Sequence, residues 1–237
     1  MKLDLPVEVP VLDSLSLAAG DALLVVDVQR DFLPGGALAV PGGDQIVPGI
    51  NELGGKFKRA GLPVVLTQDW HPSDHLSFAS NHEGKRPGDA YQSEGIGPVL
   101  WPDHCLQGSP GAAFAADLDP TLGDAIIRKG SNPKVDSYSA FQDQNGLQET
   151  GLRGYLSSLG VKRVHVVGLA LDYCCYFSVV DAVDAGFEAV LVLDLTKGID
   201  QPPGHLAGAL ETMKDRGVKF ALLGSYSFPP QPNQKNP

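Results

Sequence analysis

Basic residues and long apolar runs are both scarce in this chain. Its 237 residues include 18 lysines and arginines against 28 aspartates and glutamates, a formal net charge of −10. This balance gives no electrostatic support to nucleic-acid binding, and no run of Lys or Arg suggests a membrane surface. No apolar run approaches the ~20 residues that span a bilayer. We therefore expect neither a nucleic-acid nor a membrane partner.

Cysteine is also rare. Three cysteines are too few for a disulfide framework, and two of them, Cys174 and Cys175, are neighbours in the chain. Neighbouring Cα atoms are ~3.8 Å apart, which is shorter than usual disulfide spans. The N-terminus carries acids and prolines where a signal peptide would need a basic end and an unbroken apolar core. We therefore expect a cytoplasmic protein with free thiols.

Apolar, β-branched runs alternate with amphipathic patterns along most of the chain. The runs predict six strands, at residues 22–28, 62–67, 124–128, 163–169, 188–194 and 218–223. Patterns of helical period predict helices near residues 46–57, 152–159, 173–185 and 206–213. Continuous apolar strands between amphipathic helices indicate a parallel sheet that is covered on both faces. We predict an α/β fold: a single doubly wound domain, residues 1–228, with a mainly parallel sheet of about six strands.

One long connection interrupts this alternation. Residues 71–123 show no convincing strand or long helix and are rich in Gly, Pro, Asp and His. Because a compact domain rarely carries so long a connection without a functional reason, we expect residues 71–123 to form a metal and substrate loop region. The Pro-rich residues 229–237 are predicted to be a disordered tail.

A reactive thiol is predicted where the fourth strand ends. The segment VHVVGLALDYCC, residues 164–175, indicates a buried strand that turns into the start of a helix. Backbone N–H groups and the helix dipole lower the pKa of a thiol at such a position, and open α/β sheets place their chemistry at strand tips. Periodicity does not decide whether Cys174 or Cys175 is the reactive thiol.

Two ionisable residues at other strand ends could act on that thiol. Asp27 follows an apolar strand, so desolvation raises its pKa and makes it a credible base, although an isolated Asp there more often caps a turn. Lys129 ends the third strand, where a lysine is usually solvated. In a parallel sheet it would lie near Asp27 and Cys174 and stabilise a carboxylate and a thiolate. Asp31 is expected to be an ordinary solvated or capping acid.

The long connection also carries a candidate metal site. Asp69 and His71 are two residues apart on an extended segment and so project to the same side, and His104 comes from the far end of the connection. Mixed carboxylate and imidazole ligands suit Zn²⁺, Fe²⁺ or Mn²⁺. His75 could be a fourth ligand, and solvated loop histidines are the ordinary alternative. Nearby aromatic residues could form flat walls for a planar ligand or simply pack: Phe32, Trp70, Trp101 and Tyr173.

Together these segments resemble the nicotinamidase/pyrazinamidase enzymes of the isochorismatase-like cysteine hydrolase superfamily. Five stretches match in order and character: DVQRDFLPGGAL, TQDWHPSDHLSFAS, WPDHCLQGSPGA, RKGSNPKVDSYSAF and GLALDYCC. The resemblance implies a catalytic triad of Asp27, Lys129 and Cys174, because the nucleophile of the family follows an aromatic or His residue, here Tyr173. Cys175 then has a packing role.

The resemblance also implies the other site residues. Asp69, His71 and His104 would bind one divalent metal ion, with Zn²⁺ ranked before Fe²⁺ or Mn²⁺, and His75 would be a fourth ligand only in some members. A cis peptide between Leu169 and Ala170 would direct the backbone N–H groups of Ala170 and Cys174 as an oxyanion hole. The implied substrate-binding walls are Phe32, Trp101 and Tyr173.

The implied activity is hydrolysis of nicotinamide to nicotinate and ammonia through a cysteine thioester, in NAD salvage, with pyrazinamide and related carboxamides as further substrates. A homo-oligomer is expected as a possible assembly. One alternative is another amidase of the same superfamily, such as a carbamoyl-amide hydrolase, but those relatives generally lack the metal set. Another is a non-catalytic metal-binding or thiol-redox protein, which the absence of a CxxC motif disfavours.

Overall fold

The computed structural model describes residues 5–227, so the predicted tail at 229–237 lies outside the described residues. Within residues 5–227, eight strands follow in chain order: β1 (Leu15–Ser16), β2 (Asp21–Val26), β3 (Val64–Asp69), β4 (Ala125–Lys129), β5 (Arg163–Leu169), β6 (Glu188–Lys197), β7 (Lys219–Ala221) and β8 (Tyr226–Ser227). Six of them form one sheet in the order β4-β3-β2-β5-β6-β7, and all its neighbouring pairs are parallel. The remaining two, β1 and β8, form a separate parallel pair. The predicted α/β fold with a six-stranded parallel sheet is confirmed.

Helices cover both faces of the sheet. They are α1 (Val47–Arg59), α2 (Leu152–Ser158), α3 (Tyr176–Asp184) and α4 (His205–Asp215). Alternate residues of β2 face opposite sides: Leu23 and Val25 pack in the core that includes α1, and Leu24 and Val26 in the core that includes the other three helices. All six residues of β2 are buried. Burial of each such aliphatic side chain contributes about 1.5–3 kcal/mol, which explains why the continuous apolar runs become central strands.

Two predicted elements differ from the structure in kind or by more than two residues, and the short strands β1 and β8 were not predicted. The predicted helix at 173–185 starts as a π-helical turn, Leu171–Cys175, and becomes α-helical only in α3. Strand β6 continues to Lys197 instead of ending at residue 194, because its register with β5 shifts between Val166 and Gly168. The extra residues of this bulge extend the strand past Asp194, and local periodicity gives no sign of such a tertiary adjustment.

The long connection has the irregular structure that its sequence predicts. Between residues 71 and 123, all of which are described, the only helical elements are two short 3-10 turns, Ala79–Asn81 and Pro120–Leu122. Single β-bridges join the start of the connection to its middle part, His71 to Leu106 and Phe78 to Trp101. These bridges bring the segment around His104 back to the end of β3. Across residues 5–227, the helices are too short or too polar to cross a bilayer.

The strand register gathers the predicted site residues at one edge of the sheet. Asp69 and Lys129 are directly paired at the ends of β3 and β4, and Val26 is paired with Gly168. A Cβ on Gly168, where φ is +116°, would lie 2.0 Å from the carbonyl oxygen of Val26. Only glycine therefore allows β5 to pass this close to β2. The close approach brings the turn after β5 beside Asp27.

Candidate active site

The ammonium group of Lys129 connects four groups at this edge. Its Nζ lies 2.8 Å from Asp27 Oδ2 and 2.5 Å from Asp69 Oδ1. It also donates to the carbonyl oxygen of Ser137 at 3.0 Å and lies 3.4 Å from Cys174 Sγ. Burial acts to lower the pKa of Lys129, but the two carboxylates outweigh it and hold that pKa well above its ordinary value. A permanent cation therefore lies between Asp27 and Cys174, as the sequence led us to expect.

Asp27 is fully buried, and its carboxylate lies between the Thr67 hydroxyl and the Lys129 ammonium group. Its Oδ1 accepts a hydrogen bond from the Thr67 hydroxyl at 2.6 Å, and its backbone N–H donates to the same hydroxyl oxygen at 3.1 Å. Its backbone has φ of +48°, which turns the chain sharply just after β2. Burial raises the pKa of Asp27, although Lys129 opposes that rise. The direction agrees with the prediction from the sequence, and a raised pKa suits a general base.

The thiol of Cys174 does not have the low pKa that the sequence suggested. Burial raises its pKa well above the ordinary value, and the nearby Lys129 only partly offsets this. The helix-dipole expectation is wrong because Cys174 is the fourth residue of the π-helical turn and 5% exposed, so loss of solvation dominates. The resting thiol is protonated, and its chemistry needs a base within reach.

The two neighbouring cysteines have different surroundings. Cys174 lines the cavity described below, and its sulfur lies within 4.8 Å of carboxylate oxygens of both Asp27 and Asp69. Cys175 is completely buried in the apolar core. Cys105 is also fully buried, and burial raises its pKa far above the ordinary value. The surroundings of Cys174 therefore match a nucleophile, and those of the other two match packing.

The turn between β5 and Cys174 has the predicted backbone form. The peptide between Leu169 and Ala170 is cis, as expected. The carbonyl of Ala170 accepts hydrogen bonds from the N–H groups of Tyr173 and Cys175, at 3.1 and 3.0 Å. The N–H of Cys174 lies between these two donors in the chain and takes no part in that pair. We expect it to face a reacting carbonyl together with the Ala170 N–H.

Asp69, His71 and His104 come together beside Lys129. Each offers one ligand atom, and these atoms all lie within 4.8 Å of one another. The Nδ1–H of His71 donates to the carbonyl of Gly130 at 2.9 Å, and that of His104 to the carbonyl of Pro102 at 2.7 Å. These bonds direct the Nε2 atoms of His71 and His104 into the cluster, 3.4 and 4.0 Å from Asp69 Oδ2, where each can bind a cation when it carries no proton. Second-sphere carbonyls of this kind orient metal-binding histidines, so the residues fit a divalent cation.

The charges of this cluster favour cation binding. Burial would raise the pKa of Asp69, but Lys129 and His71 hold it far below its ordinary value, so the carboxylate is ionised. Burial and His71 lower the pKa of His104 to about 4, which leaves its ring neutral. Burial also acts to lower the pKa of His71, but Asp69 outweighs it and raises that pKa. A cation would replace this imidazole proton as the partner of Asp69.

His75 lies next to the cluster without joining it. Its ring centroid is 4.6 Å from that of His71. Its Nδ1 accepts the backbone N–H of Ser77 at 3.1 Å, and its Nε2 has no hydrogen-bond partner among the described residues. Among residues 5–227, Asp69, His71 and His104 form a compact ligand set. His75 is not a member of that set.

A cavity opens directly onto Cys174, His71 and His104. The three predicted wall residues Phe32, Trp101 and Tyr173 all line it, and the rings of Trp101 and Tyr173 are 5.0 Å apart in a T-shaped arrangement. Trp70, the other aromatic candidate, packs elsewhere. The guanidinium carbon of Arg128 lies over the Trp70 ring, 3.8 Å from the centroid of that ring. Six lining residues were missed: Leu38, Ser77, Asp136, Ser137, Tyr138 and Ile199.

A signal for some of the missed residues was present in the sequence. Asp136, Ser137 and Tyr138 lie in the RKGSNPKVDSYSAF stretch that begins next to Lys129, so they could have been assigned to the same site. Tyr138 accepts a hydrogen bond from Trp101 Nε1 at 2.9 Å, which fixes one cavity wall. Ile199 follows β6 in a loop that the Asp172 carboxylate holds by accepting the N–H groups of Ile199 and Asp200. No local pattern marks Ile199.

Comparisons with known proteins identify the family of this chain. The isochorismatase domain family matches residues 21–223. A nicotinamidase of Acinetobacter baylyi is 46% identical over 84% of this chain and 90% of its own length. A nicotinamidase of Escherichia coli is 41% identical over 86% of this chain and 96% of its own length.

Solved structures of similar proteins have the same fold. A nicotinamidase/pyrazinamidase of Acinetobacter baumanii superposes with a TM-score of 0.83 and 46% identity, over 87% of this chain and 97% of its own. PnC1 of L. infantum, in complex with nicotinate, superposes with a TM-score of 0.78 and 37% identity, over 91% of this chain and 100% of its own. A zinc complex of the Pyrococcus horikoshii pyrazinamidase superposes with a TM-score of 0.69 and 41% identity, over 86% of this chain and 99% of its own. This chain therefore belongs to the nicotinamidase/pyrazinamidase group of the isochorismatase family.

Proposed function

We propose that this protein is a nicotinamidase, an amidohydrolase that converts nicotinamide to nicotinate and ammonia in NAD salvage. The observation that carries the proposal is that Cys174 lines a cavity with aromatic walls and also contacts Lys129, which is paired with Asp27. An enzyme that hydrolyses an aromatic carboxamide needs a nucleophile, a base and a flat binding site, and this edge of the sheet supplies all three. The similar proteins named nicotinamidases support the same activity.

The first half of the reaction forms a thioester. Asp27 takes the proton of the Cys174 thiol, and the sulfur attacks the carboxamide carbon. The backbone N–H groups of Ala170 and Cys174 donate to the oxygen that becomes negative. The carbon–nitrogen bond then breaks, the amide nitrogen receives the proton held by Asp27, and ammonia leaves. The raised pKa of Asp27 suits both the removal and the return of this proton.

The second half releases the acid. Asp27 takes a proton from water, and the water oxygen attacks the thioester carbon. The carbon–sulfur bond then breaks, and the proton held by Asp27 returns to the sulfur, which restores the Cys174 thiol. The acid product leaves as nicotinate after losing its proton to solvent. Lys129 stabilises negative charge on both Asp27 and Cys174, because its ammonium group is within 3.4 Å of the Asp27 carboxylate and of the Cys174 sulfur. Its high pKa keeps it charged throughout.

Asp69, His71 and His104 would hold one divalent cation next to this machinery. Zn²⁺ is our first choice, with Fe²⁺ or Mn²⁺ as alternatives for the same ligands. When bound, the cation supplies Lewis-acid chemistry, as a ligand-binding site for the ring nitrogen of the substrate or as a source of activated water. His75 is the candidate fourth ligand and lies at the edge of the set.

The cavity walls select a flat heteroaromatic ring. Phe32, Trp101 and Tyr173 are each buried and contribute aromatic surface, and such rings pack against planar ligands. The substrate class is therefore a pyridine or pyrazine carboxamide, with pyrazinamide as a second substrate. A cytoplasmic location and a homo-oligomeric state stay predictions from the sequence.

Ammonia release from nicotinamide tests the proposal. We expect turnover by the wild-type enzyme, loss of turnover after treatment with a chelator, and recovery on addition of Zn²⁺, Fe²⁺ or Mn²⁺. No ammonia from nicotinamide or pyrazinamide, in a folded and metal-loaded protein, would refute the assigned substrate class. A rate unaffected by complete metal removal would refute the role of the cation and leave the cysteine chemistry standing.

A further inference from the structure

Two polar side chains in the segment that carries Asp27 have no part in the reaction described above. Gln29 and Asp31 follow the base in the stretch DVQRDF. Gln29 is fully buried, which is unusual for a glutamine. A buried amide loses hydrogen bonds to water and must recover them inside the protein. The partners of these two side chains therefore show what the segment holds in place.

The amide of Gln29 is bonded mainly to the backbone of Asp69. Its Oε1 accepts the N–H of Asp69 at 2.8 Å, and its Nε2 donates to the carbonyl of Asp69 at 2.9 Å. The other Nε2 hydrogen is donated to the carbonyl of Ala112, also at 2.9 Å. Both amide hydrogens of the side chain are therefore used.

This amide holds Asp69 beyond the last backbone pair between β2 and β3. The register of those two strands ends at Val25 and Leu66, three residues before Asp69. Beyond that point, the Gln29 side chain makes the hydrogen bonds to the backbone of Asp69 that a paired strand would otherwise make. It therefore fixes the distance between the base Asp27 and the carboxylate Asp69, which share the ammonium group of Lys129.

Asp31 makes a similar connection to the other side of the metal site. Its Oδ2 accepts the N–H of Cys105 at 2.7 Å, and its Oδ1 accepts that of Ala37 at 3.3 Å. Cys105 has φ of +47°, a conformation that a non-glycine residue adopts only when its surroundings enforce it. It directly follows His104, and its carbonyl accepts the N–H of His71 at 3.0 Å.

We propose that Gln29 and Asp31 are positioning residues for the metal site: Gln29 holds Asp69, and Asp31 holds the turn that carries His104. The segment of the catalytic base thus also sets the spacing of the metal ligands. This inference rests on the metal site in the proposed function. Outer residues that orient metal ligands typically change metal affinity by about 10–100-fold when they are replaced.

Gln68 provides a matched control for Gln29. Its Nε2 donates to the same carbonyl of Ala112, at 2.8 Å, while its Oε1 accepts from Arg128 and neither atom bonds the Asp69 backbone. We expect Gln29→Met to weaken Zn²⁺ binding by about 10–100-fold and Gln68→Met to leave it near the wild-type value. Gln29→Glu, which keeps an acceptor for the Asp69 N–H and removes both donors, is a second variant with the same expected direction.

Asp103 is the corresponding control for Asp31. It is adjacent to His104 in the chain but bonds the hydroxyl of Ser80. We expect weaker Zn²⁺ binding in Asp31→Ala and nearly unchanged binding in Asp103→Ala. The affinity is measured by competition for Zn²⁺ with a chromophoric chelator, and thermal unfolding of the metal-free proteins reports any general loss of stability.

The outcomes separate the inference from the function on which it rests. Weaker Zn²⁺ binding in the Gln29 and Asp31 variants, with turnover restored by excess Zn²⁺, supports positioning through the metal site. Zn²⁺ binding equal to wild type in folded Gln29→Met and Asp31→Ala overturns the inference and leaves the proposed function intact. A wild-type protein that does not bind Zn²⁺, Fe²⁺ or Mn²⁺ overturns the proposed metal site and the inference with it.

Discussion

Lys129 and Asp69 are register partners on adjacent parallel strands, and their side chains form a buried ion pair of 2.5 Å. The same ammonium group lies 2.8 Å from Asp27. One lysine therefore pairs with both the proposed base and a proposed metal ligand. This sharing explains how two carboxylates remain close together in a buried site, where either one alone would be costly to ionise.

The contrast between the two neighbouring cysteines gives the most direct prediction. We expect Cys174→Ala to abolish ammonia release, because it removes the only sulfur on the cavity wall among the described residues. Cys175→Ala should retain turnover and lose about 1 kcal/mol of stability, since it deletes a small, fully buried side chain. Steady-state kinetics and thermal unfolding of both variants are the measurements. Full activity in Cys174→Ala, with loss in Cys175→Ala, would reverse our assignment of the nucleophile.

Asp27→Asn tests the base. The amide keeps the shape of the side chain and cannot take a proton, so we expect turnover to fall by about 10²–10⁴-fold. In the wild type only ionised Asp27 is active. Because burial raises its pKa, the acidic limb of kcat/KM should lie at higher pH than an ordinary aspartate would give.

The matched control for Asp27→Asn is Asp103→Asn, which alters an acid that bonds the Ser80 hydroxyl outside the catalytic triad and should keep the acidic limb of the wild type. Profiles of kcat/KM against pH, for metal-loaded enzymes, decide the matter. An unchanged rate in Asp27→Asn would exclude Asp27 as the base.

The sheet and the ionisable residues at its edge could be predicted from the sequence because each has a local signature. Strand β2 is a continuous apolar run, and Asp27 follows it directly. Asp69, Lys129 and Cys174 likewise come at or just after strand ends, and parallel strands bring such ends together. The cis peptide before the nucleophile turn was expected from the family resemblance rather than from any property of Leu169 and Ala170.

Other features depend on three-dimensional surroundings and could not be predicted. The sequence places Cys174 near a helix start and suggests an acidic thiol, but the packed turn buries it and raises its pKa. Asp31 was expected to be a solvated or capping acid, yet it bonds a backbone N–H 74 residues away. Ile199 reaches the cavity only because a loop folds back over Asp172. Burial and long-range contacts of this kind have no periodic pattern in the chain.

Gly130 allows the His71 ring to lie against the end of β4. Its φ is +71°, and a Cβ there would lie 2.4 Å from Cε1 of His71. Gly61 has nearly the same φ, +70°, with nothing within 4 Å of the equivalent Cβ. We expect Gly61→Ala to cost about 1–2 kcal/mol from backbone strain alone. Gly130→Ala should cost more and should also weaken Zn²⁺ binding, because His71 must move.

Chemical denaturation and Zn²⁺ titration of the Gly61 and Gly130 variants separate these two effects. Equal losses of stability, with unchanged Zn²⁺ affinity, would show that contact with His71 is unimportant.

Asp136 should make the stability of the protein depend on pH. This carboxyl is 2% exposed, and burial raises its pKa to about 7. The unfolded chain ionises at its ordinary value, near 3.8, so the folded state binds the proton more tightly. The resulting stabilisation is complete below pH 3.8 and is lost as the pH rises towards 7. The difference in pKa corresponds to roughly 4 kcal/mol at most.

Asp136→Asn isolates this contribution, because an amide oxygen can still accept the Gly97 N–H that now bonds Asp136 at 2.9 Å. We expect the variant to match the wild type near pH 4 and to exceed its free energy of unfolding near pH 8, by urea denaturation at each pH. Other titrating groups are common to both proteins and cancel in the difference. A difference that stays constant from pH 4 to 8 would mean that Asp136 ionises normally, and a more stable wild type at pH 8 would mean that its charge is stabilised by the cavity.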